Sequence, residues 1–246
     1  MAGSRPARIL DPMPRVSRCG LAVLTTALLP ACLDSPPSAT IAAVDGSVQA
    51  SESDAAVGCR TIVRNDFTNT DEWEPWWETG ATVLLEKDRA HIIIDGPQVT
   101  GLWAEVASVP ARPIDQTELD ASFTLADGTN GTTGISLASE VDNDYYDLVV
   151  DDGELLAIYA PNGDASAEIL CAPCPAYDPV AHARIRLRAA AGNVHFQAAP
   201  AAGEWNEIAS APIRGGAHAA LAFAWSDPGE LSELIVSEMA WRDCEM

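Results

Sequence analysis

From Cys59 onward, polar and apolar side chains alternate in short runs, and each run is broken by Gly, Pro, Asn or Asp. In Ala183-Arg184-Ile185-Arg186-Leu187-Arg188 an extended backbone sends Ile185 and Leu187 to one side and the guanidiniums to the other. No segment of this region keeps a period of 3.6, so helix has little part in it. The strands expected are 60–67, 82–87, 91–94, 102–106, 118–125, 134–138, 145–150, 154–159, 183–188, 194–198, 218–225 and 233–241. Roughly 185 residues of this kind suit one all-β antiparallel sandwich, here assigned to 59–246. Two hairpins stand out. Asp151-Asp152-Gly153 turns strand 145–150 into strand 154–159, with Gly153 free to take positive φ, and Gly192-Asn193 turns the arginine strand into Val194-His195-Phe196.

The chain ahead of this region has a different character. Residues 33–58 lack aromatics and any apolar period and are rich in Ser, Ala, Asp and Pro, which is the composition of a flexible tether. Before them, Arg15 and Arg18 flank thirteen mostly apolar residues, Cys19 to Ala31, too few for the roughly 20 of a membrane-crossing helix. Residues 1–31 therefore read as a signal peptide, with Met13 as an alternative start. Leu29-Pro30-Ala31-Cys32 resembles the bacterial lipobox, apart from Pro30, and that resemblance implies lipidation of Cys32. The expectation is a lipid-anchored protein of the cell envelope. Leu33 after the acylated cysteine points to the outer membrane.

Charge narrows the partners. The whole chain carries a formal net charge of −22; without residues 1–31 it has 10 basic and 35 acidic side chains, a net −25. Such a surface repels phosphate backbones, so nucleic acid is not an expected partner. Beyond Cys32 there are four cysteines, Cys59, Cys171, Cys174 and Cys244, and an even number in an exported chain favours disulfides, with three pairings open. A Cys59–Cys244 bond would join the first and last strands and contribute around 4 to 5 kcal/mol in the chain-entropy account. Cys171-Ala172-Pro173-Cys174 would then close a small loop. The redox and zinc readings of C-x-x-C lack their usual setting, since there is no βαβ pattern and His182 stands alone nearby.

The order of these motifs resembles the concanavalin A-like lectins and glucanases, particularly the LamG-like jelly rolls. The matching residues are Asp66-Phe67 with Trp73, the Gly134 to Val150 segment with Tyr145-Tyr146, then Arg184, Arg186, Gly192, Asn193, Phe196 and Trp205, and a last strand from Leu231 to Trp241. The resemblance implies two packed antiparallel sheets, one convex and one concave, and a family of sugar binders, adhesion modules and glycosidases. Fold alone does not choose among these.

The residues that bear on the choice are few. Glucanases of this fold carry Glu-x-Asp-x-x-Glu on one strand, and Glu140-Val141-Asp142-Asn143-Asp144 follows that pattern until Tyr145 stands where the acid/base Glu belongs. No catalytic residue is therefore assigned. An Asp/Asn run is also what a turn uses. Asp142 and Asp144 offer oxygen ligands to calcium, which needs six to eight, so no metal site or cofactor is assigned. Trp76 and Trp77 would point to opposite sides of an extended backbone, leaving one free to stack on a sugar ring, while Trp103, Trp205, Trp225 and Trp241 are expected in the core. Asp142, Asp144, Tyr145, Trp76 and Trp77 are the candidate ligand contacts. The expected function is a non-catalytic binding module for glycan or another envelope component. A glucanase-like glycoside hydrolase and a protein-interaction or structural envelope module are the alternatives.

Overall fold

The computed structural model describes residues 59–63, 66–95, 101–139, 143–163 and 166–244. The leader, the 32–58 tether with Cys32, and Glu140-Val141-Asp142 lie outside the described residues. Within the described residues the chain forms strands β1 (Cys59–Val63), β2 (Trp73–Trp77), β3 (Ala81–Glu86), β4 (Arg89–Ile94), β5 (Leu102–Ser108), β6 (Arg112–Pro113), β7 (Thr117–Leu125), β8 (Thr132–Ala138), β9 (Tyr145–Asp151), β10 (Glu154–Ala160), β11 (Glu168–Ile169), β12 (Arg184–Ala190), β13 (Asn193–Ala199), β14 (Asn206–Pro212), β15 (Ala217–Ser226) and β16 (Ser232–Cys244).

These strands make two antiparallel sheets. The first runs β14-β13-β12-β7-β16-β4-β3, with β1 also on β16; the second runs β11-β10-β9-β8-β15-β5-β2, with β6 also on β15. Long β16 organises the first sheet: it pairs with β7 along one edge, and with β4 and then β1 along the other. Between the sheets lies an apolar core that includes Phe67, Trp73, Ile92, Leu119, Ile135, Tyr146, Phe196 and Trp241, all with almost no exposure. The first and last strands lie side by side, with Cys59 opposite Cys244 in register and bonded to it; Cys171 is bonded to Cys174. Of the pairings the sequence left open, these are the ones formed.

The two sheets differ on their outer faces. Strand β12 alternates strictly and β13 does so as far as Ala198, burying Ile185, Leu187, Val194 and Phe196 and turning Arg184, Arg186 and Arg188 outward. Strands β8, β9, β10 and β15 are buried at almost every position. A strand covered on both sides reads as a continuous apolar run. Leu155-Leu156-Ala157-Ile158 and Ala219-Ala220-Leu221-Ala222-Phe223 are such runs, and in them sequence alone does not say which residues face outward.

The hairpins form where expected, with refinements. Asp152 at φ 47° and Gly153 at φ 75° are the two central turn residues between β9 and β10, the left-handed pair that matches strand twist. Between β12 and β13 the positive-φ pair is Ala191 (52°) and Gly192 (81°), one residue earlier than expected, and Asn193 begins the next strand. Of the expected strand 60–67, residues 60–63 are strand, and Asp66 and Phe67 are not: Asp66 to Asn69 form a turn that returns Trp73 under Phe67, ring centroids 5.1 Å apart. Two edge strands of five and seven residues, β2 and β14, were not expected.

Three of the four tryptophans expected in the core are not there. Trp241 is fully buried, but Trp103 and Trp225 occupy outward positions on β5 and β15. Trp205 lies over the guanidiniums of Arg186 and Arg184, at 4.1 and 4.7 Å, on the outer face of the first sheet. A planar cation over an indole face is favourable enough to hold a half-buried Trp there. Beneath it the buried Glu118 receives Arg186 on one carboxylate oxygen and Arg242 on the other, each at 3.1 Å. Burial pushes the neighbouring Asp120 carboxyl above its ordinary range, against the pull of the Arg242 charge.

Candidate functional site

Register identifies the residues of the second sheet that face away from the core. Opposite residues of an antiparallel pair share a face. Trp76 on β2 stands opposite Glu105 on β5, and Glu105 opposite Phe223 on β15. The row continues through Gly134 on β8 to Val149 on β9 and Leu156 on β10. The next row is Glu74, Ala107, Leu221, Ser136, Asp147 and Ile158. On the other side Trp103 pairs with Trp225.

The β2-β5-β15 flank of this face is aromatic and firmly held. The Trp103 ring stacks on Phe223 at 4.6 Å, with planes 12° apart, and its indole N–H donates to Glu105 Oε2 at 2.7 Å. Its backbone N–H donates to Glu78 Oε2 at 2.9 Å, while the Glu78 N–H donates to the Trp103 carbonyl at 3.1 Å. Ring, indole nitrogen and main chain are all fixed, so Trp103 is set before any ligand arrives. Trp76 is 44% exposed beside it. The Trp225 indole runs beside Gly101, where an added Cβ would sit 3.4 Å from its Nε1.

The candidate residues read from sequence fall in different places. Trp76 lies on this face. Trp77, 47% exposed, has the opposite parity, paired with Ala104 at the sheet edge. Both tryptophans are exposed because β2 is an edge strand with nothing beyond it in the sheet. Tyr145 also points to the outer face, but at the far end, buried in a second apolar cluster with Val149, Leu156, Ile158, Ala160 and Phe223. Asp144 is buried, and its carboxylate accepts the Asn162 N–H at 2.7 Å, tying the β8–β9 turn to the chain after β10. Asn143 (φ 54°) has the left-handed backbone of a turn residue. Among the described residues no group of three or more His, Cys, Asp or Glu could hold a metal ion. Trp103, Glu105, Phe223 and Trp225 were not among the candidate residues read from the sequence. Their signal was an acidic residue two positions after a Trp in an otherwise apolar strand, Leu102-Trp103-Ala104-Glu105-Val106.

The carboxylates that the strands place on this face are Glu74, Glu105, Asp147, Asp151 and Glu154, among the described residues. Neither central strand contributes one: β8 turns out Thr132, Gly134, Ser136 and Ala138, and β15 turns out Ala219, Leu221, Phe223 and Trp225. Glu105 and Asp147 are separated by β15 and β8, three strand spacings or about 14 Å. Glycosidase pairs stand about 5 to 5.5 Å apart in retaining enzymes and about 6.5 to 9.5 Å in inverting ones.

Two packed antiparallel sheets in this topology define a concanavalin A-like jelly roll, the fold of glucanases and of a group of lectins. A family 16 glycosyl hydrolase protein from Mycobacterium smegmatis superimposes with a TM-score of 0.55 at 13% identity, covering 74% of this chain and all of that one. The Bacillus licheniformis β-glucanase gives 0.54 at 11%, covering 75% and 97%. The Ca2+-bound exoplasmic/lumenal domain of VIP36 gives 0.52 at 9%, covering 76% and 90%. At these identities the likeness is one of fold. No protein-family model matches the sequence, and no curated protein matches it either.

Proposed function

We propose that this is an exported envelope lipoprotein, anchored through Cys32 on the 32–58 tether, whose jelly roll binds glycan through the outer face of its second sheet and does not cleave it. The observation that carries the reading is the aromatic flank: Trp76 exposed, Trp103 locked by Glu105 and Phe223, and Trp225 alongside. Indole faces are large and rigid, and they present apolar area at low ordering cost. Neighbours of this fold include both a β-glucanase and the VIP36 exoplasmic/lumenal domain, so the fold is not confined to hydrolases and is compatible with binding. The wide spacing of Glu105 from Asp147, and carboxylate-free β8 and β15, weigh against hydrolysis.

Trp76 is the residue to test, because its removal leaves the core untouched. Trp76→Ala should abolish retention on immobilised polysaccharide while circular dichroism stays that of the parent; retention unchanged from the parent would refute the site. For the anchor, Cys32→Ala should release the protein from membranes and block globomycin-sensitive processing, and persistent membrane attachment would refute it.

A second reading has one observation behind it. Glu74 and Glu105 are diagonal neighbours on paired strands, within about 7 to 8 Å by strand geometry. Polysaccharide cleavage lost in Glu105→Gln would establish a hydrolase on that pair.

A further inference from the structure

The outer face of the second sheet is open along one flank. From β5 to β10, Ala107, Leu221, Ser136, Asp147, Val149 and Leu156 are all buried. At the far end Ala167 and Cys174 pack on the cluster of Tyr145, Leu156 and Ile158. The chain carrying them is fastened to β10 on both sides of the Cys171–Cys174 bridge. Leu170 N–H donates to Ala157 O at 2.9 Å before it, and Leu155 N–H to Pro175 O at 2.9 Å after it. Solvent reaches the face at Trp76 and at the half-buried Trp103 and Trp225.

A polymer bound along such a face would cross the strands one after another, and here its path ends at β15. The accessible stretch from β2 to β15 is two strand spacings, about 10 Å. Its polar groups are acidic: Glu74 exposed beside Trp76, and Glu105 behind Trp103. With a chain at −22, they disfavour carboxylated or sulfated sugars.

We propose that the Trp76–Trp103–Trp225 flank takes the terminal one or two units of a neutral glycan, and that no long polysaccharide lies across the sheet. This rests on the glycan-binding reading and narrows its ligand. Trp103 forms the fixed wall against which a pyranose ring stacks, Trp76 closes from the open edge, and Glu74 accepts a sugar hydroxyl.

Calorimetric titration of the full-length chain in detergent, with neutral gluco- and manno-oligosaccharides from disaccharide to hexasaccharide, tests it. Affinity should level off by the trisaccharide, the hexasaccharide staying within about twofold, and Trp76→Ala should weaken every binder about tenfold or more, or about 1.4 kcal/mol. A hexasaccharide about tenfold tighter than the trisaccharide would show a ligand crossing the sheet, overturning this inference while leaving glycan binding intact. Tighter binding of a uronic acid or sulfated oligosaccharide would overturn the neutral assignment. Short-chain binding indifferent to Trp76→Ala would put the site elsewhere. Heat from none of the sugars, neutral or acidic, would overturn the glycan reading itself.

Discussion

Two residues show the local chemistry most directly. Ala191 sits at φ 52°, where a β-carbon crowds the following carbonyl and Asn is better tolerated than Ala. Ala191→Asn should raise stability by about 0.5 to 1 kcal/mol, or a few degrees in Tm, measured by thermal unfolding; no gain would mean the turn carries no strain. Tyr146 is buried, donates its hydroxyl to Pro212 O at 3.1 Å, accepts the Arg214 N–H at 2.9 Å and stacks on Tyr159. Burial pushes its phenol from 10.0 up to about 12. A raised acid stabilises the folded state below its unfolded pKa, and that contribution fades between pH 10 and about 12. In a tyrosinate absorbance titration, Tyr146→Phe should remove amplitude near pH 12 and none near 10, and amplitude lost near 10 would contradict this. The same scale shows what sequence could and could not reveal. That one of Trp76 and Trp77 would be exposed, and that the β12 arginines face outward, were readable from alternation; that both tryptophans are exposed was not, because it depends on β2 being a sheet edge. Trp103 and Trp225 were not readable either, because Leu102, Ala104 and Ala224 beside them are apolar too and the one polar neighbour, Ser226, is itself buried, so parity carries little information in a strand covered on both faces.

At the level of elements, the strands that escaped sequence reading are edge strands. β2 contains Pro75, which removes a ladder donor and ordinarily argues against a strand. It is tolerated because β2 pairs on one side only, with β5. β14 is built from Asn, Glu, Ala, Ser and Pro around one Ile, a composition of low strand propensity that borrows its order from β13. The chain after β10 has its own device. Residues 168–170 and 175–177 pair with β10 on either side of a four-residue bulge closed by Cys171–Cys174. So short a loop yields only about 2 kcal/mol of chain entropy, so the bridge acts locally. Replacing both cysteines by Ser should lower global stability by no more than about 2 kcal/mol, while the Leu155 and Tyr177 amides, bonded to Pro175 O and Gly153 O, exchange faster. Unchanged protection at both would show that the bulge holds itself.

The described residues form a sandwich whose class was evident from alternation and turn spacing, and whose proposed binding face was not. Which sheet is covered on both sides, and where that cover stops, depends on contacts far apart in the chain. The Cys59–Cys244 bond spans 185 positions and contributes about 5 kcal/mol in the chain-entropy account. Cys59→Ser with Cys244→Ser should therefore lower stability by several kcal/mol in denaturant unfolding, far more than loss of the small bridge; equal losses would refute the entropic account.

That bond also fixes how the domain bears mechanical load. With the anchor and the binding face proposed above, the domain would be pulled at Cys59, where a short edge strand alone would peel away hydrogen bond by hydrogen bond. Because Cys59 is welded to Cys244, traction passes instead into β16, which is laced to β7 along one edge and to β4 and β1 along the other. The domain should yield only when its longest strand is sheared from its neighbours, and a reducing environment would turn that shear into a zipper.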